Sequence, residues 1–402
     1  MAQTDHSALH QKLVKQGNWP YEDCSVAVLP SAREKFADMF SAIRQARRFV
    51  HVEYFNMRND SIGWELLHLL ERKAEEGVEV RVLIDAFGYL NQRNTLTREM
   101  QDAVRSHGVQ LAIFDPMRFP WVNHALHRDH RKIVVVDGQL VYTGGINVAD
   151  YYLHGKPAVG EWRDTHMRME GPVVDAYQQI FAHIWERTTR EHLDSLTYRA
   201  QEPLTEFRCL RPDATPTAGR KVVVVVNREP GKTRRSMIRA YVAMLDAARD
   251  EVRIVNPYPM NVKSVRRAMY RAMARGVRLR IMVSASNDDP VVPDVVAIEM
   301  KKMMHRGAEV YYYEGGFHHS KIMMVDGSVC TIGTANLDAR SLKFDYEVNS
   351  FIFDPHTTAE LNAIFDSDIP SSELLTKENF KRRFPLKNRV AGRVCAAIKG
   401  VL

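Results

Sequence analysis

The sequence has no apolar run approaching the roughly 18–20 residues that a helix needs to cross a bilayer. Its longest β-like apolar runs, residues 133–136 and 222–226, are flanked by charge and read as buried strands. The first nineteen residues are polar and lack the apolar core of a secretory signal, so the chain is expected to be made and kept in the cytosol. Cysteine is also scarce. Cys24, Cys209, Cys330 and Cys395 lie far apart and form no CxxC pair, which argues against a zinc knuckle and a disulfide scaffold. Cys330, within the apolar run 328–332, reads as an inert core thiol.

What is present describes a soluble globular chain. Of 402 residues, 45% are apolar and 26% charged, enough to bury a substantial core in two domains or two fused repeats. The net charge of +7 suits an anionic partner, either nucleic acid or an acidic membrane surface, and decides between neither.

The chain is written twice. Residues 46–54 (ARRFVHVEY) resemble 248–256 (ARDEVRIVN), each reading as a helix end running into a strand. Residues 73–81 (KAEEGVEVR) match 273–280 (MARGVRLR), and 107–109 (HGV) match 306–308 (RGA), with glycine at the left-handed position that stops a helix. Gly77 to Gly276 and Gly108 to Gly307 are both separated by 199 residues, whereas His130 and His319 are separated by 189. The first half therefore carries about ten extra residues between Phe114 and His127, expected to be a loop at the mouth of a site. Met300, Met303 and Met304 fall at helical spacing and read as core packing.

The chemistry sits in the next pair. Residues 130–137 (HRKIVVVD) and 319–326 (HSKIMMVD) both read H-x-K-x4-D. On a strand, side chains two apart share a face, so His130 and Lys132, and likewise His319 and Lys321, can present an imidazole and a cation to one small anion. Asp137 and Asp326 end the strand at an Asp-Gly turn. Gly144–Gly145–Ile146–Asn147 begins fourteen residues after His130, and Gly333–Thr334–Ala335–Asn336 fourteen after His319. Glycine allows close backbone approach to a phosphate, and the Asn147 and Asn336 amides can donate to its oxygens. A lone HxK is usually a surface pair; two in register, with matching sequels, are not. His124, His127 and His130 at three-residue spacing raise a metal site, but loop histidines beside a catalytic one are the simpler reading.

These residues resemble the phospholipase D superfamily, whose signature is a duplicated HKD motif, and within it the bacterial cardiolipin synthases. The resemblance runs from about Val28 to about Lys377 and includes Glu53–Tyr54–Phe55, Asp85–Ala86–Phe87–Gly88, Trp162–Arg163–Asp164–Thr165–His166, residues 333–341 (GTANLDARS) and residues 345–349 (DYEVN). It departs at Pro257–Tyr258–Pro259, where an aromatic commonly follows the tyrosine, and in having no transmembrane helix, with which such synthases often begin. The resemblance implies an α/β fold of two fused phospholipase D-like repeats, each a mixed sheet flanked by helices, with one active site at their interface. The expected division is an N-terminal extension (1–30), a first repeat (31–200), a linker (201–220) rich in proline, a second repeat (221–378) and a basic amphipathic C-terminal segment (379–402).

The resemblance also implies a two-step transfer. His130 is assigned as nucleophile, forming a phosphohistidine, and His319 as general acid and base. Lys132, Lys321, Asn147 and Asn336 would stabilise charge on phosphorus. Asp164 and Glu347, each at the start of the strand after its motif, are the candidates for holding a ring nitrogen and its tautomer. Asp137 and Asp326, at the far end of their strands, read as structural ion partners rather than proton carriers.

The leading expectation is a phosphatidyltransferase that joins two phosphatidylglycerols and releases glycerol, without metal, cofactor or obligatory protein partner. Its partner would be an anionic phospholipid membrane, touched peripherally from the inner face. The alternatives are a phospholipase D-type hydrolase or nuclease using the same residues, or an inactive lipid- or nucleic-acid-binding scaffold. The lipid-enzyme stretches disfavour nucleic acid, and two intact motifs disfavour the scaffold. Val390, Val394, Ile398 and Val401 recur at helical spacing behind the basic run 380–389, which fits a helix lying on an anionic membrane as well as one packed on the body.

Overall fold

The structure is a computed structural model that describes residues 6–90, 95–116, 126–201, 221–260, 262–288 and 292–398. The extra loop of the first half, the expected linker, His124, Cys209 and Val401 therefore fall wholly or largely outside the described residues.

Fifteen strands among the described residues form one continuous mixed sheet, with the duplication visible in its order. From the outer edge of the first half the strands run Gln110–Phe114, Glu79–Asp85, Phe49–Tyr54, Lys132–Val136, Leu140–Gly144, His166–Glu170 and Trp19–Leu29. The second half repeats this outward from the centre in mirror order: Lys221–Arg228, Glu347–Phe353, Val329–Gly333, Ile322–Val325, Glu251–Val255, Arg278–Ser284 and Glu309–Tyr313, with Ser372–Leu374 added at the edge. The outer three strands of each set are parallel and the rest antiparallel.

The expected extension 1–30 is built into the body instead. Its strand Trp19–Leu29 pairs on one side with His166–Glu170 and on the other with Lys221–Arg228, which joins the two half-sheets edge to edge. Its helix Ser7–Lys15 places Leu9 and Leu13 in the core of the second half. An unpaired edge strand would expose a row of backbone donors and acceptors; joining the two edges satisfies both.

The motif strands are apolar at every position after Lys132 and Lys321 because helices cover both faces of the sheet. Val134 and Val136 face the core beneath helices Ala32–Gln45 and Ser61–Glu75, while Ile133 and Val135 face the core beneath Val173–Thr189. In the second half Met323 and Val325 take one face and Ile322 and Met324 the other. The core on the Val173–Thr189 side also takes in helix Pro355–Asp368, so it draws side chains from both halves. Met300 and Met303 lie in the core as their spacing suggests. Cys330 is buried and its thiol is pushed up to about 12 by burial, as an inert core residue should be.

Gly77, Gly108, Gly276 and Gly307 all adopt positive φ, between 89° and 98°. Two motif residues do so as well: Asp137 (φ 53°) and Asp326 (φ 50°), each followed by a positive-φ glycine in a tight turn. Their carboxylates explain the local fold. Asp137 accepts the backbone N–H groups of Arg47, Arg48 and Phe49 at 2.8, 2.8 and 2.9 Å. Asp326 accepts those of Arg249, Asp250 and Glu251 at 3.0, 2.9 and 3.0 Å. Each aspartate thus anchors the start of the neighbouring strand, at the end of its own strand opposite the histidine. Backbone amides are the main partners of both, and Asp326 also has the His6 ring at 3.4 Å, the one ion partner of the kind expected among the described residues. Replacing Asp137 by Ala, which removes three charge-assisted bonds and a turn residue tolerant of positive φ, is expected to destabilise the fold by about 2–4 kcal/mol. Asp137→Asn, which keeps one acceptor and the turn, should lose about half as much; chemical denaturation measures both.

Candidate active site

Both motif histidines open onto one cavity of about 440 Å³ at the junction of the halves. The strands expected to begin at the histidines begin later, at Lys132 and Ile322. Backbone pairing between halves is the cause. His130 N–H donates to the Tyr346 carbonyl at 3.0 Å, and His319 N–H donates to the Arg163 carbonyl at 2.7 Å. A short parallel pair, Trp162–Arg163 against Phe317–His318, continues this contact. The residues ahead of each motif strand are thereby drawn towards the other half.

The side chains follow. His130 Nδ1 lies 3.0 Å from Glu347 Oε1, and His319 Nδ1 lies 2.7 Å from Asp164 Oδ2. Each histidine is held by the acid of the other half, 217 and 155 residues away. Behind the acids, Thr334 Oγ1 donates to Glu347 and Thr165 Oγ1 meets Ser320 Oγ at 2.8 Å.

Burial raises the cost of charge on both acids, but their partners outweigh it. Glu347 ends below its ordinary value because His130, Lys132 and Thr334 surround it; Asp164 does so because of Lys321 and His319. Both are therefore carboxylates at neutral pH. Burial, reinforced by Lys132 and opposed by Glu347, pushes His130 down to about 4. Burial and Lys321, opposed by Asp164, also lower His319. Burial pushes Lys132 down to about 7, against the pull of Glu347, and lowers Lys321 too.

His319 Nδ1 touches Asp164 at 2.7 Å and Lys321 Nζ at 2.8 Å, and one ring nitrogen cannot donate to the first while accepting from the second. A buried carboxylate is the stronger claimant, so the Nδ1 proton points at Asp164. Lys321 then donates to the His319 carbonyl and keeps Asp164 at 3.7 Å. Lys132 likewise donates to the His130 carbonyl at 2.6 Å. With both Nδ1 atoms committed, both Nε2 atoms are left for chemistry.

Asn147 and Asn336 line the cavity. Asn147 Nδ2 donates to Tyr152 Oη at 3.1 Å and its Oδ1 accepts from Asn56 N–H at 3.3 Å. The glycines before them have a different role from the expected phosphate approach. A Cβ on Gly145 would lie 2.0 Å from Asp164 Oδ1, and one on Gly333 would lie 2.2 Å from Asn349 Cγ. The space glycine leaves is filled by the protein's own side chains, at Gly145 by the acid that holds His319. His127 bonds the Phe344 carbonyl at 3.0 Å, and His318 bonds Asp368 at 3.1 Å.

Aromatic walls complete the site and were not singled out from sequence as site residues. The Phe55 ring stands edge-on to His130 at 4.9 Å, and Trp162 and Tyr258 flank His319 at 5.5 and 6.1 Å. Lys156 lies over Tyr151 and Trp162, and Tyr258 donates to Asp288. A signal existed: Phe55 and Tyr258 follow the equivalent strands Phe49–Tyr54 and Glu251–Val255.

The chain is similar to known proteins over most of its length. The family model described as cardiolipin synthase, PLD-like domain, matches residues 39–185 and 241–369, more than half of the chain. A probable cardiolipin synthase of Bacillus subtilis, YwiE, is 34% identical over 361 residues, covering 89% of this chain and 69% of the relative. The major cardiolipin synthase ClsA of the same organism is 33% identical over 382 residues, covering 95% and 76%. In fold, the chain is similar to the crystal structure of phosphatidylserine synthase from Haemophilus influenzae, with a TM-score of 0.75, 15% identity and coverage of 98% and 100%.

Asp164→Asn keeps the shape but lets an amide offer a donor to Nδ1, favouring the wrong tautomer of His319. A kcat lower by roughly 10²–10⁴-fold is expected with an unchanged circular dichroism spectrum. Gly145→Ala, which touches no substrate, should also lower kcat by displacing Asp164.

Proposed function

The chain belongs to the family of cardiolipin synthases with a phospholipase D-like domain, and from that premise we propose how its residues carry out phosphatidyl transfer. It is a phosphatidyltransferase that makes cardiolipin and glycerol from two molecules of phosphatidylglycerol. The observation that carries the mechanism is the pair of imidazoles in one cavity, each oriented through Nδ1 by a carboxylate from the opposite half.

His130 Nε2 attacks phosphorus of the first phosphatidylglycerol. The reacting form carries His319 as an imidazolium, a minority at pH 7 because its value is lowered. The bond from phosphorus to the head-group glycerol oxygen breaks, His319 delivers its Nε2 proton to that oxygen while keeping the one on Nδ1, and free glycerol leaves. The second phosphatidylglycerol then brings its terminal hydroxyl. His319 takes that proton, the oxygen attacks phosphorus, and the bond to His130 breaks, regenerating both rings. Two features support this order. His130 is pushed down to about 4 and so stays neutral, as a nucleophile must. His319 has the shorter carboxylate contact, 2.7 Å against 3.0 Å for His130, which favours a transient imidazolium there. Lys132 and Lys321, which donate to the His130 and His319 carbonyls behind the cavity wall, would offset the charge developing on the phosphoryl oxygens from there, with Asn147 and Asn336, which line the cavity, as further donors.

No helix among the described residues is long and apolar enough to cross a membrane. The proposed location is peripheral, on the inner face of the cell membrane, where anionic phosphatidylglycerol is both substrate and surface.

With phosphatidylglycerol vesicles, mass spectrometry should find cardiolipin and an equal amount of free glycerol. Phosphatidic acid without cardiolipin would mean that water is the acceptor, and DNA cleavage without lipid turnover would mean a nuclease. His130→Ala and His319→Ala should each abolish turnover; acid-quenched His319→Ala should retain phosphatidylated protein, and labelling confined to His130→Ala would reverse the roles. The pH profile follows from the two rings. The His319 proton is lost as pH rises through a value below the ordinary 6.5, and His130 is blocked as pH falls through about 4. The kcat/KM optimum should therefore lie between these limits, and a profile flat from pH 6 to 9 would contradict the assignment.

A further inference from the structure

Among its described residues, the C-terminal helix Leu386–Ile398 meets the body through Asn388 and Gly392. Asn388 Nδ2 donates to Asp294 Oδ1 at 2.9 Å, and Gly392 sits so close to the helix Val292–Met304 that a Cβ there would lie 2.2 Å from the Asp294 carbonyl oxygen. At 100° per residue, Asn388 and Gly392 share that contact face, while Leu386, Val390 and Val394 follow one another along the opposite face. Those three are 66%, 49% and 67% exposed, in a protein whose other large apolar side chains are mostly buried. Lys381 and Lys387 are exposed nearby. The supporting helix begins at Val292, which lines the catalytic cavity, so the C-terminal helix is held, two residues away at Asp294, to an element that starts in the cavity wall.

We propose that Leu386, Val390 and Val394, with Lys381 and Lys387, form the surface by which this enzyme enters an anionic phospholipid leaflet and brings its cavity mouth to the lipid. The inference rests on the reading of the substrate as a membrane phospholipid. Apolar side chains in line on one face, with cations beside them, match an interface whose interior is hydrocarbon and whose surface is negative. The same face could not serve a nucleic acid, which offers no apolar layer for three aliphatic side chains. Docking through Gly392 fixes the helix relative to the cavity, so insertion orients the whole body. The two readings of the segment, packed on the body or laid on a membrane, are then opposite faces of one helix.

The test uses the full chain with Leu386→Gln, Val390→Gln and Val394→Gln combined, since glutamine keeps the helix and removes the apolar face. Sedimentation with vesicles containing phosphatidylglycerol should show at least a tenfold loss of binding, while kcat on detergent-dispersed phosphatidylglycerol stays within twofold. Lys381→Glu with Lys387→Glu should weaken binding to anionic vesicles but leave the weak binding to neutral phosphatidylcholine vesicles unchanged. Leu196→Gln, an exposed apolar residue elsewhere, is the control and should bind like the parent. Undiminished vesicle binding by the triple variant would overturn the proposal. So would a parent protein that is dimeric by light scattering and becomes monomeric in the triple variant, because the face would then cover a second copy. Vesicle binding needs no turnover, so this result is independent of which reaction the site performs.

Discussion

The structure depends on two buried carboxylates that find their partners across the molecule. Asp164 and Glu347 are almost fully enclosed, and an ionised carboxylate in such surroundings is costly unless cations and donors meet it. The partners available are His319 with Lys321 for Asp164, and His130 with Lys132 for Glu347. Neither half can satisfy its own acid from its own motif in this arrangement. Separating the halves would leave each acid without its histidine, so the same contacts that orient the imidazoles also hold the halves in register. One site, rather than two, is the consequence of exchanging these pairs.

The rest of the fold supports that exchange from a distance. At one end of each motif strand, an aspartate in a left-handed turn gathers three backbone amides and pins the neighbouring strand. At the other end, the backbone leaves the ladder and pairs with the opposite half. Strand Trp19–Leu29 joins the two sheets into one, and side chains from both halves pack into a shared core. A histidine at the free end of so constrained a strand has little freedom to drift, which is what in-line attack by one ring and proton delivery by the other require. The exposed apolar face of the C-terminal helix lies outside this frame, on a helix tied to the element that begins at Val292 in the cavity wall.

Much of this was legible in the chain. Duplicated helix stops at Gly77, Gly108, Gly276 and Gly307 marked the repeat because left-handed backbone at a helix end favours glycine largely independently of tertiary context. The motif strands were legible because both faces are buried, leaving continuous apolar runs. Asp164 and Glu347 could be named from an expected place at strand starts, which holds for Glu347 while Asp164 sits in the break between Trp162–Arg163 and His166–Glu170. Neither could be matched to a histidine, since partners 155 and 217 residues apart are set by the docking of halves. The role of Gly145 was misread for a related reason: a glycine beside a candidate site shows that something approaches closely, not whether it is ligand or protein. The strand in residues 19–29 was missed as part of the body because its alternation is weak; it is half exposed over much of its length, and pairing, not pattern, gives it a place.

The claim that each half orients the histidine of the other can be observed at the rings themselves. With ¹⁵N-labelled histidine, NMR reports the tautomer and protonation of His130 and His319 in the resting enzyme. Both should be neutral at pH 7 with the proton on Nδ1. Glu347→Gln should shift the His130 nitrogens and leave those of His319 in place, and Asp164→Asn should do the converse. If Glu347→Gln moved His319 instead, or Asp164→Asn moved His130, the exchanged pairing would be wrong and the account of a single shared site would fail with it.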